Sequence, residues 1–319
     1  MSSSWNDEGF PLWLVPIDFL ALGLTCAVIG TMAALPDATG LKIARVCIKL
    51  LLLCLPRARK VGLRNLELVF PERTPTERSQ ILERSFEVLA RNLHGFSKIP
   101  KLDRASAATR INHHAGKALI DNVRTRAGTN GILLPTLHFG AFELLVQFQS
   151  LNDRPFAFLA RGFGLPRVDR WWNRRRQHFG SSGFTRKGGY QEIVRRIRAG
   201  EDVGVLFDQN VKVNHAVFVD FFGIPAATSK SIAVAALRTK CPIIFAACVD
   251  NLDGTYELVA EQVANPVDEP GTAEEKIYSI TRDLHDRVET LIKRRPEQWF
   301  WIHRRFKTRP TGDSQNLYA

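Results

Sequence analysis

His138 and Glu143 stand five residues apart in the stretch PTLHFGAFELL, Pro135 to Leu145. A neutral imidazole can take a proton from an alcohol while a carboxylate orients its ring and stabilises the imidazolium. With such a pair, an alcohol attacks an activated acyl group directly and the protein supplies no nucleophile. The same two residues would also suit a polar junction between a strand and a helix, so the surrounding elements must decide.

Other chemistries find no support. There is no G-x-S-x-G elbow for a serine hydrolase. H-x4-E is not H-E-x-x-H, and no His/Cys cluster has zinc spacing, so no metal is expected. RGFGLP (161–166) lacks the full glycine pattern of a dinucleotide site, and no cofactor is expected.

Beyond about Gly128, short apolar runs alternate with helical stretches. GILLPTL (131–137) reads as a buried strand and GAFELLVQFQ (140–149) as a helix. PFAFLA (155–160) is the next strand and runs into Arg161; PRVDRWWNRRRQHF (166–179) and QEIVRRIRAG (191–200) are helical. DVGVLF (202–207) is a strand running into Asp208, SKSIAVAALRTK (229–240) a helix, PIIFAACV (242–249) and TYELVAEQ (255–262) strands. A long helix starts near Ala273. This alternation predicts an α/β fold, with a mostly parallel central sheet flanked by helices. In such sheets the working groups gather where strands end. His138, Arg161 and Asp208 each follow an apolar strand, which favours chemistry over packing.

The N-terminus has another character. FPLWLVPIDFLALGLTCAVIGTMAAL (10–35) carries one charge, Asp18, and its uncharged part, 19–35, is at the short end of what spans a bilayer. Asp7 and Glu8 precede it where a signal peptide needs cations. Lys42, Arg45, Lys49, Arg57, Arg59 and Lys60 follow it, which places the body on the cytoplasmic side. In 41–60, Lys42, Arg45 and Lys49 share one helical face, as in a helix at a membrane interface; a buried helix with one basic stripe fits equally. Thr74-Pro75-Thr76-Glu77 predicts a capping box with Pro at the first helical position. The expected division is an anchor with interfacial helix at 1–60, an α/β domain at 61–310 and a tail at 311–319.

At 319 residues, 45% hydrophobic and 24% charged, the chain can bury a sizeable core. Its net charge of +12 points to an acidic partner: nucleic acid, an anionic membrane or an acidic protein. The five cysteines form no metal-like pair and are expected to be reduced, buried thiols.

HFGAFE, FDQN, FVDFFGIPAATSKSIAVAALRTKCPIIF and PEQWFWIHRRFKTRP together resemble the bacterial lipid A late acyltransferases, and RNLELVFPERTPTER resembles that family's segment between anchor and catalytic domain. The resemblance runs from about residue 12 to 310, and its Phe-Phe-Gly and Pro-Glu-Gln-Trp stretches are far more specific than His-x4-Glu. It implies a glycerolipid-acyltransferase-like fold and transfer of an acyl chain from acyl carrier protein, or coenzyme A, to a lipid hydroxyl. It also implies a bacterial inner-membrane location with the catalytic domain on the cytoplasmic face. Position by position, His138 and Glu143 match the catalytic dyad, as general base and orienting partner. Gly140 matches the glycine between them, Arg161 a phosphate-binding basic residue, and Asp208-Gln209 a substrate-binding block in which Asp208 would fix the substrate or Arg161. Backbone N–H groups opening the helix of the 140s are expected oxyanion donors. The chain departs from the family at Ala141-Phe142, where many members have Asn-Trp, and at Leu165-Pro166, where Asn-Pro is usual. Phe-Pro-Glu-Gly-Thr, expected after the His block of a glycerol-phosphate acyltransferase, is absent there.

The expected partners are acyl carrier protein and an anionic lipid A precursor, with nucleic acid not expected. Another glycolipid or lysophospholipid acceptor, or a non-catalytic basic binder, are the alternatives. RWWNRRR (170–176) fits membrane or lipid phosphates better than a solvated face, HRRFKTR (303–309) reads as a solvated tail, and an acidic carrier protein would want a basic docking surface that no one stretch identifies.

Overall fold

The computed structural model describes residues 10–112, 114–126, 128, 130–151 and 154–319; Asp7 and Glu8 lie outside the described residues. Its strands in chain order are β1 (Ile111–Asn112), β2 (Leu133–Thr136), β3 (Phe156–Leu159), β4 (Ser182–Phe184), β5 (Asp202–Leu206), β6 (Ala216–Phe221), β7 (Ile224–Ser229), β8 (Ile243–Asp250) and β9 (Tyr256–Val263). The helices are α1 (Val15–Ala34), α2 (Asp37–Cys54), α3 (Pro56–Val69), α4 (Pro75–Lys98), α5 (Arg104–Arg110) and α6 (His114–Arg126). They continue with α7 (Phe142–Ser150), α8 (Pro166–Arg176), α9 (Gly189–Arg198), α10 (Ser231–Thr239) and α11 (Ala273–Arg294).

Seven strands make one sheet in the order β1–β9–β8–β2–β5–β3–β4, parallel from β8 through β4 and antiparallel at β8–β9. The expected mostly parallel sheet is present. It is buried on both faces, which is why its strands read as unbroken apolar runs. Along β8, Ile243 and Phe245 join a core completed by α9, α10 and α11, while Ile244 and Ala246 pack with α6 on the other face. Each Ile and Phe among them contributes roughly 1.5–3 kcal/mol of burial, so both layers are held firmly.

The β6–β7 hairpin stands apart from this sheet. Phe222 and Gly223 have φ of 54° and 75°, so a turn with two left-handed residues joins the strands. Sequence reading missed it because Phe-Gly is not a hairpin signal of the Asn-Gly kind.

At the N-terminus, Leu12–Ala34 is long and apolar enough to cross a membrane. Yet α1 lies against α4 and α8, turning only Asp18, Ile29 and Met32 fully inward. Its partner α2 packs Gly40, Ala44 and Ile48 inward and leaves Val46, Leu50 and Leu53 exposed. Arg45 of the expected basic stripe is held by Glu87 of α4 at 2.6–2.7 Å, so only Lys42 and Lys49 remain as the stripe's open cations. Helix α3 straddles residue 60. The final residues return to it: Leu317 is buried and its carbonyl accepts from Arg64 at 2.8 Å.

The capping box holds: the Glu77 amide donates to the Thr74 hydroxyl, and the Thr74 amide to the Glu77 carboxylate. The cysteines are all free, but only Cys241 and Cys248 are buried; Cys54 is exposed at the end of α2, on the apolar helix pair rather than in the core.

Candidate active site

Three parallel strands deliver His138, Arg161 and Asp208 to one end of the sheet. β2 is paired with β5 from Leu133↔Val203 to Thr136↔Leu206, so the residues two beyond each strand, His138 and Asp208, emerge side by side. His138 Nδ1 lies 2.8 Å from Asp208 Oδ1, and the His138 amide donates to Oδ2 at 3.0 Å. The indole Nε1–H of Trp299 donates to the same Oδ2 at 3.0 Å. A carboxylate can only accept, so in the neutral ring Nδ1 carries the proton and Nε2 the lone pair. Gln209 Nε2 makes a long contact with that nitrogen, 3.5 Å. Burial alone would raise the Asp208 carboxyl, but His138 and the three donated hydrogen bonds outweigh it and hold the group below the ordinary aspartate value.

Glu143 is placed otherwise than expected. It lies in the first turn of α7, and both its oxygens are taken by Arg176 of α8, at 2.6 and 2.8 Å. Among the described residues no hydrogen bond joins it to His138. The orienting carboxylate on the ring is that of Asp208, which therefore does not bind Arg161. Spacing along the chain suggested Glu143, whereas the register of two parallel strands brings in Asp208.

Gly140 has a backbone task. Its φ is +54°, and a Cβ there would fall 2.3 Å from the Cys248 carbonyl oxygen. Its amide donates to Gln298 O, that of Ala141 to Cys248 O and that of Glu143 to the Asn92 side chain. The Phe139 amide donates to Leu137 O. The N–H groups of Phe139, Gly140, Ala141 and Glu143 are thus already used, whereas that of Phe142, the first residue of α7, has no hydrogen-bond acceptor among the described residues and is the one left for an oxyanion.

A cavity of about 500 Å³ opens beside His138. Glu143, Arg161, Gln209 and Arg186 are among its polar lining residues; its apolar part includes Leu134, Val146, Phe158 and Ala246 beneath α7 and Leu51 and Leu55 at the end of α2. The guanidiniums of Arg161 and Arg186 make no hydrogen bond or ion pair with any described residue, though the Arg186 carbonyl accepts from the Gly189 amide. Burial, and then the positive charge of Arg161, push the Arg186 guanidinium below its ordinary value. Sequence reading missed Arg186, although it follows the end of β4 as Arg161 follows β3; SGF was too short to read as a strand. Trp299 was seen as part of a signature stretch, without a task.

Two basic stretches are corrected. In RWWNRRR, Trp172 stacks on Phe96 at 4.1 Å, Arg175 lies over Trp171 and donates to Ser97 O, and Arg176 holds Glu143. Most of that stretch is internal packing. HRRFKTR is not a solvated tail either. Arg305 is buried, donating to Ala227 O, with burial drawing its guanidinium down to about 10, and His303 accepts from the Asn210 amide at 3.0 Å.

The model of the bacterial lipid A biosynthesis acyltransferases matches residues 11–308. This chain belongs to that family. Similar proteins include the lipid A biosynthesis lauroyltransferase of Escherichia coli (strain K12), 29% identical over 279 residues, 83% of this chain and 84% of the relative. The myristoyltransferase of the same organism is 27% identical over 258 residues, covering 81% and 78%. Its palmitoleoyltransferase is 26% identical over 273 residues, covering 83% of each. Family membership makes the protein an acyltransferase of lipid A biosynthesis, and the alternative of a non-catalytic binder is set aside. Among the described residues no group of His, Cys, Asp or Glu could hold a metal ion.

Proposed function

We propose that this protein moves a fatty acyl chain from a thioester donor, acyl carrier protein or coenzyme A, to a hydroxyl of a lipid A precursor at the cytoplasmic face of a bacterial inner membrane. The observation that carries the reading is His138 on the wall of a deep apolar cavity, with Nδ1 tied to a buried carboxylate and Nε2 left basic. Nε2 takes the proton of the acceptor hydroxyl as its oxygen attacks the thioester carbonyl; the thiolate leaves and the proton is passed on to it. Asp208 keeps the ring in the required tautomer and stabilises the imidazolium. The donor's acyl chain lies in the apolar part, gaining about 0.8 kcal/mol per methylene buried.

Arg161 and Arg186 supply two converging guanidiniums without carboxylate partners, which suits a phosphate on the acceptor or on the donor's pantetheine arm. Glu143 acts through Arg176, fixing α8 against α7. The net charge of +12 suits both an anionic membrane and an acidic carrier protein.

Mass spectrometry of lipid A and phospholipids from cells with and without the gene tests this, alongside transfer from acyl carrier protein in vitro. The expected result is lipid A lighter by one acyl chain when the gene is absent. A change confined to phospholipids would move the acceptor to that class, and no change in any lipid would sink the proposal.

A further inference from the structure

Helix α1 has one charged residue, and it is the one turned fully inward. Asp18 is 0% exposed, whereas Phe19 and Leu20 beside it are 56% and 75% exposed. An anchor alone gains nothing from a carboxylate there, since a charge in an apolar helix opposes membrane transfer. Its partners explain it. Both carboxylate oxygens accept from the backbone N–H of Arg167, at 3.1 and 3.3 Å, and Oδ2 also accepts from the Arg167 guanidinium at 3.1 Å.

Arg167 is the second residue of α8. That helix starts at Pro166, which has no N–H, and its N-cap is Leu165, which makes no side-chain cap. The first N–H groups of a helix need an acceptor, usually Ser, Thr, Asp or Asn at the cap. Asp18 supplies it from another helix, 149 residues away. The Arg167 guanidinium then lies 4.0 Å over the Phe19 ring, so the contact is sealed from above.

From this cap the structure runs straight to the site. Asp169, one turn into α8, accepts from the Phe163 amide at 2.7 Å and holds the loop that carries Arg161. Phe163 packs edge-on against Trp172, and Arg176 at the far end of α8 holds Glu143. Helix α8 is a strut with α1 at one end and the wall of the cavity at the other.

We infer that Asp18 is a positioning residue: by capping α8 from within the membrane-facing helix, it sets the Arg161 loop and the Arg176–Glu143 pair, so that the cavity is competent only when α1 is docked. The inference rests on the acyl-transfer reading for its kinetic test, but not for its structural one.

Asp18→Leu separates the two views of α1. As an anchor, α1 becomes more apolar, so vesicle binding is kept or strengthened and turnover kept. As a positioning element, it loses its cap: membrane binding is kept, kcat/KM falls about tenfold or more, and the Phe163 and Arg167 amides exchange faster with solvent. Adding Leu165→Asp supplies the missing cap locally, at a residue with extended backbone, φ −119° and ψ 97°. The double variant should regain most of the turnover and the amide protection. Asp18→Leu with unchanged kcat/KM and unchanged amide exchange overturns the inference, as does failure of Leu165→Asp to restore either. If Asp18→Leu is insoluble, Asp18→Ala, which also removes the acceptor, is read in the same way, and unaltered amide exchange there is equally fatal. A parent enzyme without acyl transfer would instead count against the proposed function, leaving the exchange measurement to judge Asp18 alone.

Discussion

His138 and Asp208 are 70 residues apart in the chain, yet Nδ1 and Oδ1 sit 2.8 Å apart because two parallel strands end in register. The two are expected to act as a unit. His138→Ala should lower turnover at least roughly a hundredfold, the usual scale for loss of a general base. Asp208→Asn should cost a comparable factor by releasing the tautomer, and the double variant little more than the worse single one. Steady-state acyl transfer checks this; losses that multiply would mean independent roles.

Glu143 makes a separable prediction. Its side chain and that of Arg176 are 10% and 16% exposed, so Glu143→Ala leaves a nearly buried cation without its partner. Breaking such a pair costs about 3–5 kcal/mol. Glu143→Ala should therefore lower the melting temperature more than Glu143→Ala with Arg176→Met, which removes both charges. Equal losses in the two proteins would show that the pair carries no structural load.

Arg161→Lys and Arg186→Lys should each raise KM for a phosphorylated acceptor or donor, because an ammonium cannot reproduce the planar fork. The double Lys variant keeps both charges and should keep the salt dependence of KM, which Arg161→Gln with Arg186→Gln should largely lose. Kinetics at two ionic strengths decide it, and unchanged KM in both single variants would remove the pair from the site.

Ala246 lines the apolar part of the cavity from β8. Ala246→Leu should shift donor preference toward shorter acyl chains, since each methylene denied burial forfeits about 0.8 kcal/mol. Competition between acyl donors of different length reads the shift directly; an unchanged preference would place the chain elsewhere.

Acid should weaken the fold before it protonates the carboxylates. Burial draws His303 from 6.5 down to about 4, and its Nε2 is occupied as an acceptor of the Asn210 amide. His285, fully buried, is likewise drawn well below the ordinary histidine value, by burial and then by Arg305. The unfolded chain binds these protons first as pH falls below 6.5, so stability is lost from there down to the folded values. His303 alone accounts for about 3 kcal/mol at 1.36 kcal/mol per unit. Urea midpoints at pH 7 and pH 5 test the sign: the lower pH should give the lower midpoint, and His303→Gln should flatten the difference.

Much of this architecture was legible because burial on two faces leaves apolar runs, and a run followed by His, Arg or Asp marks a strand end. That pattern located His138, Arg161 and Asp208 at one edge. It could not say which carboxylate meets the imidazole, since register is a relation between strands and Glu143 was nearer in sequence. Arg186 was hidden behind a three-residue strand. The fate of RWWNRRR was hidden too: an interfacial tract and an internal strut share the same composition, and only Phe96, Ser97 and Glu143 distinguish them. Asp18 read only as the lone charge of an apolar stretch because its partners, the amide and guanidinium of Arg167, lie 149 residues away.

The indole of Trp299 on Asp208 has a consequence for synthesis. Translation reaches Trp299 91 residues after Asp208, on the order of 5–20 s at ordinary elongation rates. Throughout that interval the nascent chain already carries α1 and α2, but the Asp208 carboxylate lacks the third of its three donors, and Phe300, whose ring lies 5.8 Å from that of His138, has not been made. A chain interrupted before Trp299 therefore holds both members of the pair without the indole that finishes their site, so the site is completed only as synthesis nears its end.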